Sequence, residues 1–342
     1  MKYHIYILIL FLIPLALFSQ EAKEIKFVNN AIQSAKRENK ILIIEFWAPS
    51  CGPCIKLKRD IFENDKNKEF LDKYFLIVKV SPADSLYESL FKYFNLVYQS
   101  SIIYYDETGN EIERTIGYDG EKDLYLDFLR DVAADKNLYK DVLEKYQKDT
   151  LNAMSNFLMA RKLLFRYQFE EANKLFNKVL IYDSEDKLGL HAECRFRIAE
   201  NESITTRKID ELQKYIKLYA KNDFIPKAYI YLIDDLKNKK DEINCLTTCE
   251  EAFAKYPENP DILNKYAWMI CTFKIKKDYT KALDMVRKAI IINPNYANYY
   301  DTQAWLFFES GDREKAIQSM KKAIELYPHP VYKDELEKFM TH

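Results

Sequence analysis

The sequence predicts a small α/β domain followed by a long all-helical array. Up to about residue 135, short β-branched and aromatic runs alternate with helical stretches, which is typical of an α/β layer fold. Beyond that point strand patterns vanish, and no proline occurs between Pro82 and Pro226. The 342 residues exceed one ordinary domain. The chain has only six glycines, which argues against nucleotide-binding glycine loops and turn-rich all-β folds.

The charge balance narrows the function classes. The chain carries 52 Lys and Arg against 53 Asp and Glu, a formal net charge of −1, so we expect no nucleic-acid partner. Four scattered histidines form no metal-ligand pattern, and we expect no metal site. The six cysteines are too few and too unevenly spaced for a disulfide scaffold.

The first 19 residues have the pattern of an export signal. Lys2 is followed by a 14-residue apolar run from Ile5 to Phe18, and polar sequence begins at Gln20. A membrane-spanning helix needs about 20 apolar residues, so the run fits a signal peptide at residues 1–19 that is cut after Ser19. An uncleaved membrane anchor is the alternative. In either case we expect the rest of the chain in the periplasm or another extracytoplasmic space, where thiols oxidise unless they are reduced.

Residues 20–135 contain the elements of the predicted α/β domain. Two apolar runs at 41–47 and 75–80 are typical of buried strands. The runs at 101–105 and 111–116 flank a turn at 106–109 and predict a hairpin. Helices are predicted at 22–38, 53–63, 85–94 and 121–134.

A Cys-Gly-Pro-Cys segment stands between the first strand and the second helix. Cys51 falls at the helix N-terminus, where unpaired N–H groups and the helix dipole favour a thiolate. Pro53 fits the first turn, and two intervening residues let the sulfurs of Cys51 and Cys54 bridge. We expect Cys51 to attack a partner sulfur and Cys54 to resolve the mixed disulfide, with this redox-active disulfide as the sole cofactor. A structural disulfide or half of a metal site is the alternative.

This segment and the predicted element order resemble the thioredoxin active site over about residues 22–134. The resemblance implies that Glu45 is a buried acid that exchanges a proton with the inner thiol. It also implies that Lys79 faces this acid from the next strand, although either residue could be an ordinary strand-end charge. The active-site loop would comprise Trp47, Pro49, Ser50, Gly52 and Pro53.

Three positions depart from the thioredoxin pattern. Ser50 stands where a tryptophan is usual, and Arg59 replaces a mid-helix proline. Ser100, next to Gln99 in the loop that would bind the client backbone, stands at the cis-proline position. A cis bond before a residue other than proline costs about 3 kcal/mol, so we expect a trans bond and a differently shaped loop. The pattern resembles the exported thioredoxin-like branch of the family.

The helical half is repetitive. Between Ala297 and Pro328, small and large apolar residues recur at offsets that closely resemble a tetratricopeptide repeat, in which small residues let paired helices approach. Related units predict a solenoid of about five stacked repeats over residues 153–342, after a helical linker at 136–152. Candidate partner-binding residues on the concave face are Asn298, Asp301, Trp305 and Phe308. Helix packing is the alternative role for these four.

The remaining cysteines fall in helical segments at positions for small apolar residues. We expect Cys194, Cys245, Cys249 and Cys271 to belong to the core. Cys245 and Cys249 are four residues apart on one helix, which precludes an unstrained disulfide between them. A bridge between helices, such as Cys249 with Cys271, stays open.

Two functions compete. The first is an exported thiol–disulfide oxidoreductase that acts on protein thiols or disulfides, receives electrons from a membrane-bound thiol donor, and holds a protein or peptide partner on its repeats. The second is an interaction or scaffold protein whose thioredoxin-like domain docks or senses redox state. A Cys-Gly-Pro-Cys segment at a strand–helix junction is specific for dithiol exchange and favours the first.

Overall fold

The computed structural model describes residues 15–48, 51–118, 120–219, 222–328 and 330–341. The chain divides into two compact units, Met1–Lys140 and Asp141–His342. The first residues of the predicted signal segment, 1–14, lie outside the described part, and the predicted cut after Ser19 falls inside the first helix. No helix in the described ranges is both long enough and apolar enough to cross a bilayer.

The first unit is a mixed sheet with helices around it. Its elements are α1 Leu15–Glu38, β1 Ile41–Phe46, α2 Gly52–Leu57, a π-helical turn Lys58–Phe62, α3 Asp65–Tyr74, β2 Phe75–Val80, α4 Tyr87–Tyr93, β3 Ser101–Tyr105, β4 Glu111–Ile116 and α5 Lys122–Ala133.

The sheet has the order β2-β1-β3-β4. β1 pairs in parallel with β2 and antiparallel with β3, and β4 completes an antiparallel hairpin with β3. Leu42, Ile43 and Ile44 of β1 are completely buried, as expected for a central strand covered on both faces. The residues after β1 therefore leave the sheet at the C-terminal end of its buried central strand.

All four predicted strands are confirmed to within one residue, whereas one helix was missed and another was wrong in form. The missed helix, α3, is mostly polar and buries only Asn67 and Leu71, so the spacing of its apolar residues hardly indicates a helix. Its N-terminus is defined by Asn64, whose side chain accepts a hydrogen bond from the Lys66 N–H. The helix predicted at 53–63 is regular only to Leu57 and then widens into the π-helical turn.

The second unit is built from helical pairs. α6 Tyr139–Lys148 spans the boundary between the units, within the stretch predicted as a helical linker. The pairs that follow are α7 Ala153–Leu164 with α8 Phe169–Tyr182, α9 His191–Thr206 with α10 Asp210–Leu218, α11 Ile225–Asn238 with α12 Glu242–Lys255, α13 Pro260–Thr272 with α14 Tyr279–Ile292, and α15 Ala297–Glu309 with α16 Arg313–Leu326. A further helix, α17 Pro330–Thr341, packs on α16.

Small residues line the contacts within these pairs. Ala160 and Ala172 in the first pair, and Ala304 and Ala316 in the last, are completely buried. An alanine at such a position lets two helix backbones approach while larger neighbours fill the remaining space. No hairpin can bury its apolar face alone, so consecutive pairs stack into a solenoid.

Candidate active site

The β1–α2 junction positions the two cysteines. Trp47 N–H donates to Val80 O at 3.0 Å, and Cys51 N–H donates to Ala48 O at 3.0 Å, which fixes the chain where it leaves the sheet. Cys51 is the N-cap of α2 and Cys54 lies in its first turn, after Gly52 and Pro53. A disulfide joins the two cysteines, with their Cα atoms 5.2 Å apart. Pro49 and Ser50 of the predicted loop lie outside the described residues.

The surroundings of the disulfide favour a thiolate at the outer cysteine. The Cys54 N–H lies 3.2 Å from Cys51 Sγ and points at it. Once the disulfide is reduced, this donor can stabilise negative charge on that sulfur, as N–H groups at a helix start do. Cys51 is 7% exposed and Cys54 3% exposed, and both pack with Ala48 and Trp47.

The predicted client-binding loop lies beside the inner sulfur. Gln99 O is 4.0 Å from Cys54 Sγ. Ser100 O accepts from the Gly117 N–H at 2.9 Å, which ties the loop to the segment after β4. The bond between Gln99 and Ser100 is trans, as predicted from the absence of proline.

Glu45 and Lys79 are direct partners in the register of β1 and β2, as the resemblance to thioredoxin implies. Glu45 is buried, and its Oε2 has no hydrogen-bond partner among the described residues. Lys79 Nζ lies 3.9 Å from that oxygen. Burial raises the pKa of the Glu45 carboxyl to about 7, and the nearby Lys79 ammonium offsets part of the rise.

Glu45 and Cys54 line the same narrow gap. Pro53, Leu57 and Ser100 also line this gap. A buried carboxyl with a pKa near neutrality, on the same gap as the inner sulfur, is suited to exchange a proton with that sulfur.

Sequence reasoning missed two further charged residues at this site. Glu63 Oε1 lies 3.5 Å from Lys79 Nζ and 3.3 Å from Lys58 Nζ. Lys58 belongs to the π-helical turn and Glu63 follows it directly. The regular helix predicted for this stretch did not place either side chain toward β2. No local pattern of residue types could have identified them.

The four candidate partner-binding residues of the last repeat contact α17. Tyr332 OH donates to Asn298 Oδ1 at 2.7 Å, and the neighbouring Glu335 carboxyl of α17 raises the pKa of Asp301. The Phe339 ring lies 5.1 Å from the Trp305 ring and 4.5 Å from the Phe308 ring, measured between centroids. These contacts favour a helix-packing role for the four residues over a role in binding a partner on an open concave surface.

The other cysteines are buried thiols. Cys194, Cys245, Cys249 and Cys271 are all unpaired, so no bridge joins Cys249 to Cys271. Burial raises the pKa of the Cys194 thiol and of the Cys271 thiol to about 12. Such thiols are poor nucleophiles near neutral pH.

One group of residues in the second unit has the residue types of a metal site. Ligand atoms of Asp183, Asp186 and His191 lie within 4.8 Å of one another. Asp183 already accepts two backbone N–H bonds in the loop, and Asp186 accepts one from His191. Through these hydrogen bonds the two carboxylates stabilise the α8–α9 loop.

Comparison with known proteins agrees with this architecture. A family profile for a thioredoxin-like domain matches residues 28–133, and one for a tetratricopeptide repeat matches residues 297–330. No curated protein matches the sequence.

Several solved structures of repeat proteins are similar in part. YrrB, described as a TPR protein with an unusual peptide-binding site, is 15% identical, with 58% of this chain and 97% of that chain covered and a TM-score of 0.41. MamA is 19% identical, with coverages of 51% and 91% and a TM-score of 0.39. Yeast Tom70 is 15% identical, with coverages of 59% and 42% and a TM-score of 0.47.

These features together make the protein a redox-type or interaction module. The chain combines a thioredoxin-like domain at residues 28–133, which contains the Cys51–Cys54 disulfide, with a tetratricopeptide-repeat solenoid that includes the matched repeat at residues 297–330.

Proposed function

We propose that the protein is an exported thiol–disulfide oxidoreductase that reduces or exchanges disulfides in client proteins. The observation that carries this proposal is the Cys51–Cys54 disulfide at the start of α2, with the buried Glu45 carboxyl on the same gap as Cys54. A purely structural bridge has no use for an ionisable group buried beside it, because that burial is costly.

The exchange proceeds from the reduced form in two steps. The Cys51 thiolate attacks one sulfur of a client disulfide; a Cys51–client bond forms, the client bond breaks, and the released client sulfur takes a proton from solvent. Glu45 then accepts the proton of the Cys54 thiol, and Cys54 attacks the Cys51 sulfur. The second client sulfur leaves and is protonated.

The net result is a transfer of two electrons and two protons to the client, and the protein returns to the disulfide form seen here. Another turnover requires a dithiol that reduces Cys51–Cys54. For a protein outside the cytoplasm we propose a membrane-bound thiol protein as this donor. The tetratricopeptide repeats would hold a protein partner, since stacked helical pairs create extended binding surfaces.

One observation favours the second candidate function, an interaction protein with a redox-sensing domain. Cys51 is only 7% exposed, whereas reactive cysteines usually lie at partly exposed positions. In that case the disulfide would open and close with the surroundings, and the repeats would bind a partner without catalytic turnover.

The deciding experiment measures reduction of insulin with excess dithiothreitol, with the full chain and matched cysteine variants. We expect turnover with the natural protein, none with Cys51→Ser, and a trapped mixed disulfide with Cys54→Ser. Cys271→Ser, which removes a buried thiol of the second unit, is the control and should keep full turnover. No turnover by the natural protein would support the sensing function instead.

A titration against redox buffers then sets the direction of electron flow. A reduction potential of about −270 mV would support a reductase, and one of about −120 mV would make the protein an oxidant.

A further inference from the structure

Three ion pairs, Glu45 with Lys79, Lys79 with Glu63 and Glu63 with Lys58, lead from the interior of the first unit to its surface. Glu45 is 3% exposed at its side chain, Lys79 32%, Lys58 41% and Glu63 54%. Lys79 Nζ lies between the two carboxylates, 3.9 Å from Glu45 Oε2 and 3.5 Å from Glu63 Oε1. The ammonium is thus shared, and the nearer partner is the one on the solvent side.

The π-helical turn explains why Glu63 reaches this position. Glu63 N–H donates to Lys58 O at 2.7 Å, a bond that spans five residues where an α-helix spans four. The Asn67 side chain donates to Asp60 O at 3.2 Å and to Ile61 O at 3.0 Å, so these carbonyls keep partners in the widened turn. The extra residue is therefore held in place, and Glu63 and Lys58 are held near Lys79.

The distances imply competition for one ammonium group. At 3.9 Å Lys79 makes no hydrogen bond to Glu45, whose Oε2 has no partner among the described residues. An ionised carboxylate in that state would be expensive, whereas a protonated one costs much less. If Lys79 moved fully to Glu45, the carboxylate would be stabilised in its charged form.

We propose that Glu63 is a positioning residue for disulfide exchange: it binds the Lys79 ammonium from the solvent side and so keeps Glu45 able to hold a proton for Cys54. This inference rests on the proposed function. The charged neighbours of Glu45 have the effects that this proposal requires. The Lys79 and Lys58 ammonium groups lower the pKa of Glu45, whereas the Glu63 carboxylate raises it. Tyr125 of α5, whose hydroxyl is hydrogen-bonded to Tyr104, also interacts electrostatically with Glu45.

The test follows the titration of the Glu45 carboxyl by ¹³C NMR in the oxidised full-length protein, without client or reductant. We expect Glu63→Gln to lower the midpoint of this titration by about one pH unit, because Lys79 is then free to pair with Glu45. Glu38→Gln is the control, since Glu38 forms a comparable surface ion pair with Lys40 and should leave the midpoint unchanged. An unchanged or raised midpoint in Glu63→Gln would overturn the proposal.

A second background separates positioning from direct repulsion between the two carboxylates. In Lys79→Met, the Glu63→Gln change should move the Glu45 midpoint much less than it does with Lys79 present. Equal shifts in both backgrounds would refute a role through Lys79. Because no client is used, this outcome is independent of whether the protein catalyses exchange. If it does, the pH of half-maximal exchange rate in Glu63→Gln should fall by the same amount as the midpoint.

Discussion

Replacement of Glu45 by glutamine tests the consequence of burying an ionisable group under the disulfide. Burial raises the pKa of Glu45 from 4.5 to about 7. Between these values the folded protein holds a proton that the unfolded chain has lost, so stability must fall as the pH rises. The gap of about 2.5 pKa units corresponds to about 3 kcal/mol, and this penalty is fully present above pH 7.

Glutamine is neutral at every pH and has nearly the same shape, so it removes this penalty. Any cost of an unpaired amide is independent of pH. Relative to the natural protein, Glu45→Gln should therefore gain about 3 kcal/mol of unfolding free energy between pH 4.5 and pH 8. The gain comes from the natural protein losing stability over this range.

Amide hydrogen exchange of the β1 residues, measured in the oxidised protein across this pH range, reports the stability of the first unit alone. Glu107→Gln, in the exposed β3–β4 turn, is the matched control and should follow the natural protein at every pH. A difference between Glu45→Gln and the natural protein that stays constant with pH would refute the argument, as would one of opposite sign.

Three further predictions concern the second unit. Phe339→Ala removes a completely buried ring that packs on Trp305, and it should cost about 3–5 kcal/mol in urea unfolding; a loss below about 1 kcal/mol would contradict the packing. Burial and the neighbouring Glu335 carboxyl raise the pKa of Asp301 to about 8, so hydrogen-exchange protection of α17 should fall between pH 4 and pH 8 as Asp301 ionises. Asp301→Asn should make this protection depend less on pH, while Asp334 and Lys338, the charged groups near Glu335, are the same in both proteins. Cys271 should react with Ellman's reagent at pH 8 only after denaturation, and rapid labelling of the native protein would disprove its burial.

Local sequence signals were sufficient for the sheet and for the cysteine pair. The continuous apolar run of β1 is typical of a strand covered on both faces, and Cys51 and Cys54 fall where that strand gives way to a helix. The resemblance to thioredoxin implied that Lys79 faces Glu45, and the parallel register of β1 and β2 makes the two residues partners. These features depend on neighbours in sequence or on a fixed strand pairing.

The features that were missed depend on tertiary context. The π-helical turn is stabilised by the side chain of Asn67, which belongs to the next helix. α3 has few apolar residues and is defined by its cap at Asn64 more than by its periodicity. The contact of Phe339 with Phe308 could not be anticipated from repeat offsets, because those offsets describe the repeat itself and not the helix that covers it.

The widened turn makes the chemistry of the first unit sensitive to chain length as well as to residue type. Arg59 is the exposed residue of this turn, with its side chain 60% exposed and paired with Asp60, so its deletion would remove little buried packing. Such a deletion would restore ordinary helical winding and rotate Glu63 away from Lys79. A chain shortened in this way would keep both cysteines and Glu45 but would have to set the charge state of that carboxyl without Glu63.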